Sequence, residues 1–393
     1  MGLFMRFSLC GVSLLAAPLF SSAEAFAQEK PSFGPTDPSK PMTVDGPETA
    51  DLRALVRGTL LTTEPLGGLA CLDSPDGKNS QFREAKRDQP IVESLSDLDW
   101  EGNSLVDMSQ GNDASLRIER ADGRPGREIA RGRNGLGFQR TFAGPCLAPR
   151  GNHGIVVRDP QAVYMQADPQ TTFHEGKAEI WDLAAGKKVD FEMTALVGSA
   201  SWFPDGKSFC IAALVSPEGI PVGAFEDYNQ QAIGRRTSLV PVADRRVPAV
   251  FHVRLDGGTK TFLQIGRRCV VATDGASILI PGIGTEWMKR DVKTGKFQRV
   301  RWQGVFHGRD HPVRRLSTYE GGPLAFIDGV LVVYWGLPTM GAETGVTKNN
   351  SPLDGEKPML TIKAARLSDG RFVTLVPSID PRDKVSFSAS AAR

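Results

Sequence analysis

Ala200-Ser201-Trp202-Phe203-Pro204-Asp205-Gly206-Lys207-Ser208-Phe209-Cys210-Ile211-Ala212 reads as a strand, a tight turn and a second strand. An aromatic enters the turn, Pro204 fixes φ, and Asp205-Gly206 supplies residues that tolerate a turn backbone. Lys207 and Ser208 lead into the apolar run Phe209 to Leu214. The same order returns at Cys269 to Ile280 around Asp274-Gly275, and at Leu324 to Tyr334 around Asp328-Gly329. Weaker copies turn at Glu101-Gly102 and Gly151-Asn152. Continuous apolar strands of this kind suit a position buried on both faces.

A second hairpin type alternates with the first. Ala178 to Lys187, with its turn at Ala184-Ala185-Gly186, is the clearest example, and Asp291 to Lys296 matches it. Val253 to Gly258, Ala365 to Arg371 and Ile118 to Ile129 are further copies, and Cys71 to Lys78 is a sixth. Their alternating polarity fits outer strands with one wetter side. The first-type glycines, at 102, 151, 206, 275 and 329, are spaced by 49, 55, 69 and 54 residues. A unit of about 57 residues divides a body of about 330 into about six, within the range of a radial repeat. The reading is all-β: a β-propeller of about six four-stranded blades, with seven blades or a β-sandwich as alternatives. The propeller is assigned residues 51–380, with a flexible linker at 28–50 and a disordered tail at 381–393. Two long surface loops are expected, Val215 to Val247 and Leu337 to Pro358, both rich in Gly, Pro and polar residues. In the first unit only Leu55 to Thr62 reads as an inner strand.

The stretch Ala200 to Ala212 resembles the inner hairpin of a WD-repeat-like blade of the TolB kind, whose pattern is roughly Ser-Trp-Ser-Pro-Asp-Gly-Lys before an apolar strand. The resemblance covers about a dozen residues. It implies a rigid interaction platform that binds another periplasmic or envelope protein.

The N-terminus carries a secretory signal pattern over residues 1–27. Arg6 is the positive region, and Phe7 to Phe20 is too short an apolar run to span a bilayer. Ala25-Phe26-Ala27 is an A-x-A cleavage site, so the mature chain is expected to start at Gln28, in a periplasmic or secreted location. No later run is long enough for a transmembrane segment. Cleavage removes one Arg and one Glu, leaving the net charge at +2. No dense basic stripe marks the chain for nucleic acid. The pairs Arg235-Arg236, Arg245-Arg246, Arg267-Arg268 and Arg314-Arg315 read as solvated turns or strand edges. Cys71, Cys146, Cys210 and Cys269 remain, allowing two disulfides in three pairings, or none.

Chemistry is sparse. There is no Gly-x-Ser-x-Gly elbow and no Asp-x-Asp-x-Asp-Gly calcium loop. The one histidine cluster, Phe306-His307-Gly308-Arg309-Asp310-His311-Pro312, puts two imidazoles and a carboxylate within five residues. His307, Asp310 and His311 are thus the metal candidates, and the plainer reading is a polar loop between blades. Glu226 to Gln231, in the first long insertion, is either a ligand-gripping loop or a solvated excursion. The tryptophans at 100, 181, 202, 287, 302 and 335 read as packing between blades. No cofactor is expected. The functional reading is an exported, non-catalytic binding platform. The alternative is a propeller enzyme (lactonase-like, a glycan hydrolase or a quinone-dependent dehydrogenase) acting from the central channel.

Overall fold

The computed structural model describes residues 42–43, 48–56, 58–63, 69–73, 80–83, 91–120, 124–135, 140–164, 172–221, 224, 246–281, 286–301, 323–336, 360–379 and 385–389. Strands dominate, with 3-10 turns at Ala50–Leu55 and Pro217–Gly219.

Five blades are built from consecutive antiparallel strands. Blade I is Ile91–Leu95, Asn103–Gln110, Asp113–Arg120 and Arg127–Arg133. Blade II is Phe142–Leu147, His153–Tyr164, Thr172–Asp182 and Lys187–Val189, with Thr194–Leu196 also paired to its third strand. Blade III is Ser201–Trp202, Ser208–Val215, Val247–Arg254 and Lys260–Ile265. Blade IV is Val270–Val271, Ser277–Pro281, Glu286–Asp291 and Phe297–Arg301. Blade V is Pro323–Ile327, Leu331–Gly336, Leu360–Arg366 and Phe372–Ile379. A further sheet is composite: Val385–Ala389 pairs with Gly58–Thr63, followed by Leu69–Asp73 and Ser80–Arg83. The first strands of successive sheets touch in chain order, from Ile91–Leu95 round to Val385–Ala389, so they follow one another about a common axis. This is an all-β propeller.

Four expectations change. About six alike blades become five blades of consecutive strands plus a sheet shared by the two chain ends. Neither seven blades nor a two-sheet sandwich describes that arrangement. Residues 381–393, expected to be disordered, contain the strand Val385–Ala389, whose Phe387 is only 2% exposed. Gly58–Thr63 is therefore the second strand of its sheet, and the C-terminal strand is the innermost. Part of the expected linker is also pinned: Met42–Thr43 pairs parallel with Phe297–Arg301, and Glu48 bridges Phe372.

The inner strands run apolar without alternation because both faces pack. Phe209 and Ile211 enter a cluster with Ile155, Ile180 and Trp202 of blades II and III. Their neighbours Cys210, Ala212 and Leu214 point the other way, into a cluster with Ile278 and Ile280 of blade IV. Likewise Phe326 and Val332 join Leu279 and Trp287, while Ile327 and Val333 join Leu52 and Phe387. The core is a series of layers between blades, and each fully buried large side chain contributes about 1.5–3 kcal/mol.

The five first-type turns all join the first and second strands of a blade. In three of them the bonding is alike. Gly206 N–H donates to Phe203 O and Phe203 N–H to Ser208 O; Gly151 and Ala148, then Gly275 and Ala272, repeat the pattern. Each of these glycines has a left-handed φ, of 64°, 69° and 71°. The second-type turns join third and fourth strands, and both types lie at one end of the propeller. There they bond to each other: the amides of Leu183, Leu255, Val292 and Leu367 donate to Asn152, Lys207, Ala276 and Val330. The opposite end, the insertion end, is where Gly111 turns and where Ser208–Val215 ends and Val247–Arg254 begins, the strands that flank the first long insertion.

Candidate functional site

At the tight-turn end four of the five first-type glycines sit against the turn before them. A Cβ on Gly151 would lie 2.2 Å from Asp99 Oδ2, one on Gly206 3.1 Å from Asn152 Oδ1, one on Gly275 3.1 Å from Pro204 Cδ, and one on Gly329 2.9 Å from Ser277 Oγ. Further bonds cross between blades. Trp100 N–H donates to Pro149 O and Thr273 N–H to Phe326 O. Thr273 Oγ1 donates to Asp328 Oδ1 at 2.8 Å, and Lys289 Nζ donates to Gly329 O at 2.6 Å. These turns interlock around the axis.

An open cleft of about 280 Å³ lies at this end between blades I and II. Ile118, Pro125, Leu183 and Ala184 give it apolar walls, and Arg120 and Arg127 are its charged residues. Arg127 Nη2 donates to Leu183 O, tying one blade to the next. Gly126 and Gly151 also line it, and neither admits a side chain: a Cβ on Gly126 would lie 2.1 Å from Ile118 O. Beside the cleft stands Trp100, 41% exposed, with the Arg150 guanidinium 5.4 Å from its ring centroid. Trp100 departs from the expectation that the tryptophans pack between blades, which Trp202 and Trp287 meet. Val292 and Val330 are also large, apolar and exposed at this end.

Trp100 is held out by its own turn. Asp99 is buried, and its Oδ1 accepts the amides of Glu101 and Asn103 at 2.9 and 2.8 Å. Its Oδ2 accepts Asn103 Nδ2 at 2.8 Å. Nearby, His153 stacks on Trp202 at 6.0 Å between centroids. Burial pushes the His153 pKa below its ordinary value, against the opposing pull of Asp182. Asp182 is itself held below the usual carboxylate range, first by the Ala185 amide. In blade III burial also lowers His252, whose ring lies 4.9 Å from Phe203.

The insertion end differs. Arg140 Nη2 meets Glu93 Oε2 at 2.7 Å between blades II and I, and Arg246 Nη1 meets Glu175 Oε1 at 2.7 Å between III and II. Arg268 donates to Pro323 O of blade V. Arg246 and Arg268, read from sequence as solvated edges, instead bind neighbouring blades. His307, Asp310 and His311 lie outside the described residues, as do Glu226 to Gln231. Among the described residues no group of three or more His, Cys, Asp or Glu side chains can hold a metal ion. Cys146, Cys210 and Cys269 are free thiols. Burial raises the pKa of Cys146 and Cys269. No helix among the described residues is long and apolar enough to cross a membrane.

No family model and no curated protein matches the chain. Solved structures similar to it include TolB from Acinetobacter baumannii, at 14% identity and a TM-score of 0.49. That alignment covers 85% of this chain and 66% of the other, just under two thirds of its length. A putative TolB from Agrobacterium tumefaciens is 12% identical, covering 85% and 98% of the two chains with a TM-score of 0.42. An oligogalacturonate lyase in complex with manganese is 12% identical, covering 82% and 75%, also with a TM-score of 0.42. TolB-like propellers are thus among its structural neighbours at low identity.

Proposed function

We propose that this chain is an exported β-propeller whose ring, closed by the composite sheet, serves as a rigid, non-catalytic platform for another protein of the cell envelope. The observation that carries the reading is Trp100, exposed beside an open cleft on an end where successive turns interlock. A large aromatic held out on a pre-ordered surface loses little entropy on binding and buries much area, which is how interface anchors work. Export rests on the signal pattern at residues 1–27.

The test is site-directed photo-crosslinking of the full chain in its own cells. A photoreactive residue at Trp100 should give one dominant protein adduct, and one at Ile91, exposed at the insertion end, should not. Absence of an adduct at position 100 removes the platform reading. N-terminal sequencing should find Gln28 first; an uncleaved chain in the cytoplasm removes the export reading.

A further inference from the structure

We infer that Cys210 and Cys269 form a disulfide that clamps blade III to blade IV near their inner strands. Both thiols are buried and belong to one layer, packed with Ala212, Leu214, Val271 and Ile278. The backbone brings them together. Cys210 stands directly across the ladder from Ser201. Val271 N–H donates to Ser201 Oγ at 3.0 Å, and Cys269 Sγ donates to Ser199 O at 3.5 Å. The short strand Ser201–Trp202 is thus met on one side by the strand that carries Cys210 and on the other by the stretch that carries Cys269. The two thiols hydrogen bond to each other.

The other cysteines are placed elsewhere. Cys146 packs in the layer between blades II and III, and its Sγ donates to Ala200 O at 3.4 Å. Cys71 lies on a strand of the composite sheet, which pairs with neither blade III nor blade IV. The chemistry is thiol–disulfide exchange with a disulfide oxidant of an exported compartment, so the oxidising surroundings rest on the export reading. One cysteine thiolate attacks a sulfur of the oxidant and expels a thiolate. The second cysteine attacks the mixed disulfide, closes the Cys210–Cys269 bond and expels the other thiolate. Two electrons and two protons leave the pair, and the oxidant ends as two thiols. Burial, and then the hydrogen bond with Cys210, pushes the Cys269 thiol above its ordinary value, so the finished fold holds little thiolate there. The exchange therefore belongs to folding, before blade IV packs over the pair. The cysteines are 59 positions apart and bracket the first long insertion. Their bond ties the strand that leads into that insertion to the residues that follow the last strand of blade III.

The test is non-reducing peptide mapping of the full chain, refolded from the reduced, denatured state in oxidised and reduced glutathione, then unfolded and alkylated. The Cys210 and Cys269 peptides should appear as one linked species, lighter by two hydrogens than their sum, with Cys146 alkylated. Dithiothreitol should lower the melting temperature by about 4 °C or more. Cys269→Ala should abolish that response, and Cys146→Ala should keep it. Circular dichroism checks that each variant folds. The inference is overturned if Cys210 and Cys269 are both alkylated, if either is linked to Cys71 or Cys146, or if Cys269→Ala responds to dithiothreitol as the unaltered chain does. Chain isolated from its own cells separates this inference from the export reading. A Gln28 N-terminus with both cysteines alkylated would keep export and remove the disulfide. A linked pair after refolding, with an uncleaved chain in the cytoplasm, would keep the pairing and remove export.

Discussion

The two ends of this propeller hold their blades together by different means. At the tight-turn end the turns themselves meet: glycines in the left-handed region sit against side chains of the preceding turn, and the amides of Trp100 and Thr273 donate to Pro149 O and Phe326 O of the next blade. At the insertion end long arginine side chains reach across, from Arg140 to Glu93 and from Arg246 to Glu175. Main-chain contacts leave no rotamers to freeze and no room for a side chain. Arginine bridges tolerate variation in the loops around them and are screened by salt where exposed. One end is therefore suited to a fixed surface and the other to insertions.

The sharpest break would come from the axis that both ends share. Phe387→Ala removes a buried ring from the cluster joining the composite sheet to blade V, and should destabilise by about 4 kcal/mol. Thermal unfolding would show it, and a loss under about 1 kcal/mol would mean the closing strand is not integral. Next, Gly151→Ala should cost about 3 kcal/mol, combining left-handed strain with the clash at Asp99. Gly111→Ala, at φ 59° on the insertion end with nothing within 4 Å of its Cβ, should cost only about 1 kcal/mol. Equal losses in urea titrations would show that interlocking adds nothing. Between these, Ile220→Ala should cost about 2 kcal/mol, because Ile220 packs on Val247, Ala249 and Ile265 where the first insertion leaves blade III.

The smallest effect concerns pH. His153 and His252 have folded pKa values lowered by burial, so the unfolded chain binds more protons as pH falls through the ordinary histidine range near 6.5. Their contribution to stability is full above that range and is lost below it, down to the folded values. The melting temperature should fall between pH 7 and pH 5, and His252→Phe should flatten that slope. A slope unchanged by His252→Phe would assign the effect elsewhere.

The turns were legible in sequence because their backbone demands it. A left-handed φ between two apolar strands selects Gly, often after Asp, and all five first-type turns were found at their glycines. The run Phe209 to Leu214 announced burial on both faces for the same direct reason. Val385-Ser386-Phe387-Ser388-Ala389 gave no such sign: it alternates with small polar residues, and its partner strand begins at Gly58. The candidate site was hidden differently. Six tryptophans look alike in a sequence. What separates Trp100 is a buried Asp99 that shapes its turn and an Arg150 contributed by another blade. The sequence drew attention instead to the histidine cluster at 306–312 and to the long stretches Val215 to Val247 and Leu337 to Pro358, none of which contains Trp100.

The composite sheet also sets a timetable. A chain is made from its N-terminus, so Gly58–Thr63 emerges well before the strand that lies inside it, with all five blades made between the two. Until Val385–Ala389 arrives, Gly58–Thr63 presents an unpaired edge open to any other extended chain. Pairing across so long a separation is slow. A protein built this way gains from being held unfolded until Val385–Ala389 has been made, because that strand is the latch on the open edge of Gly58–Thr63.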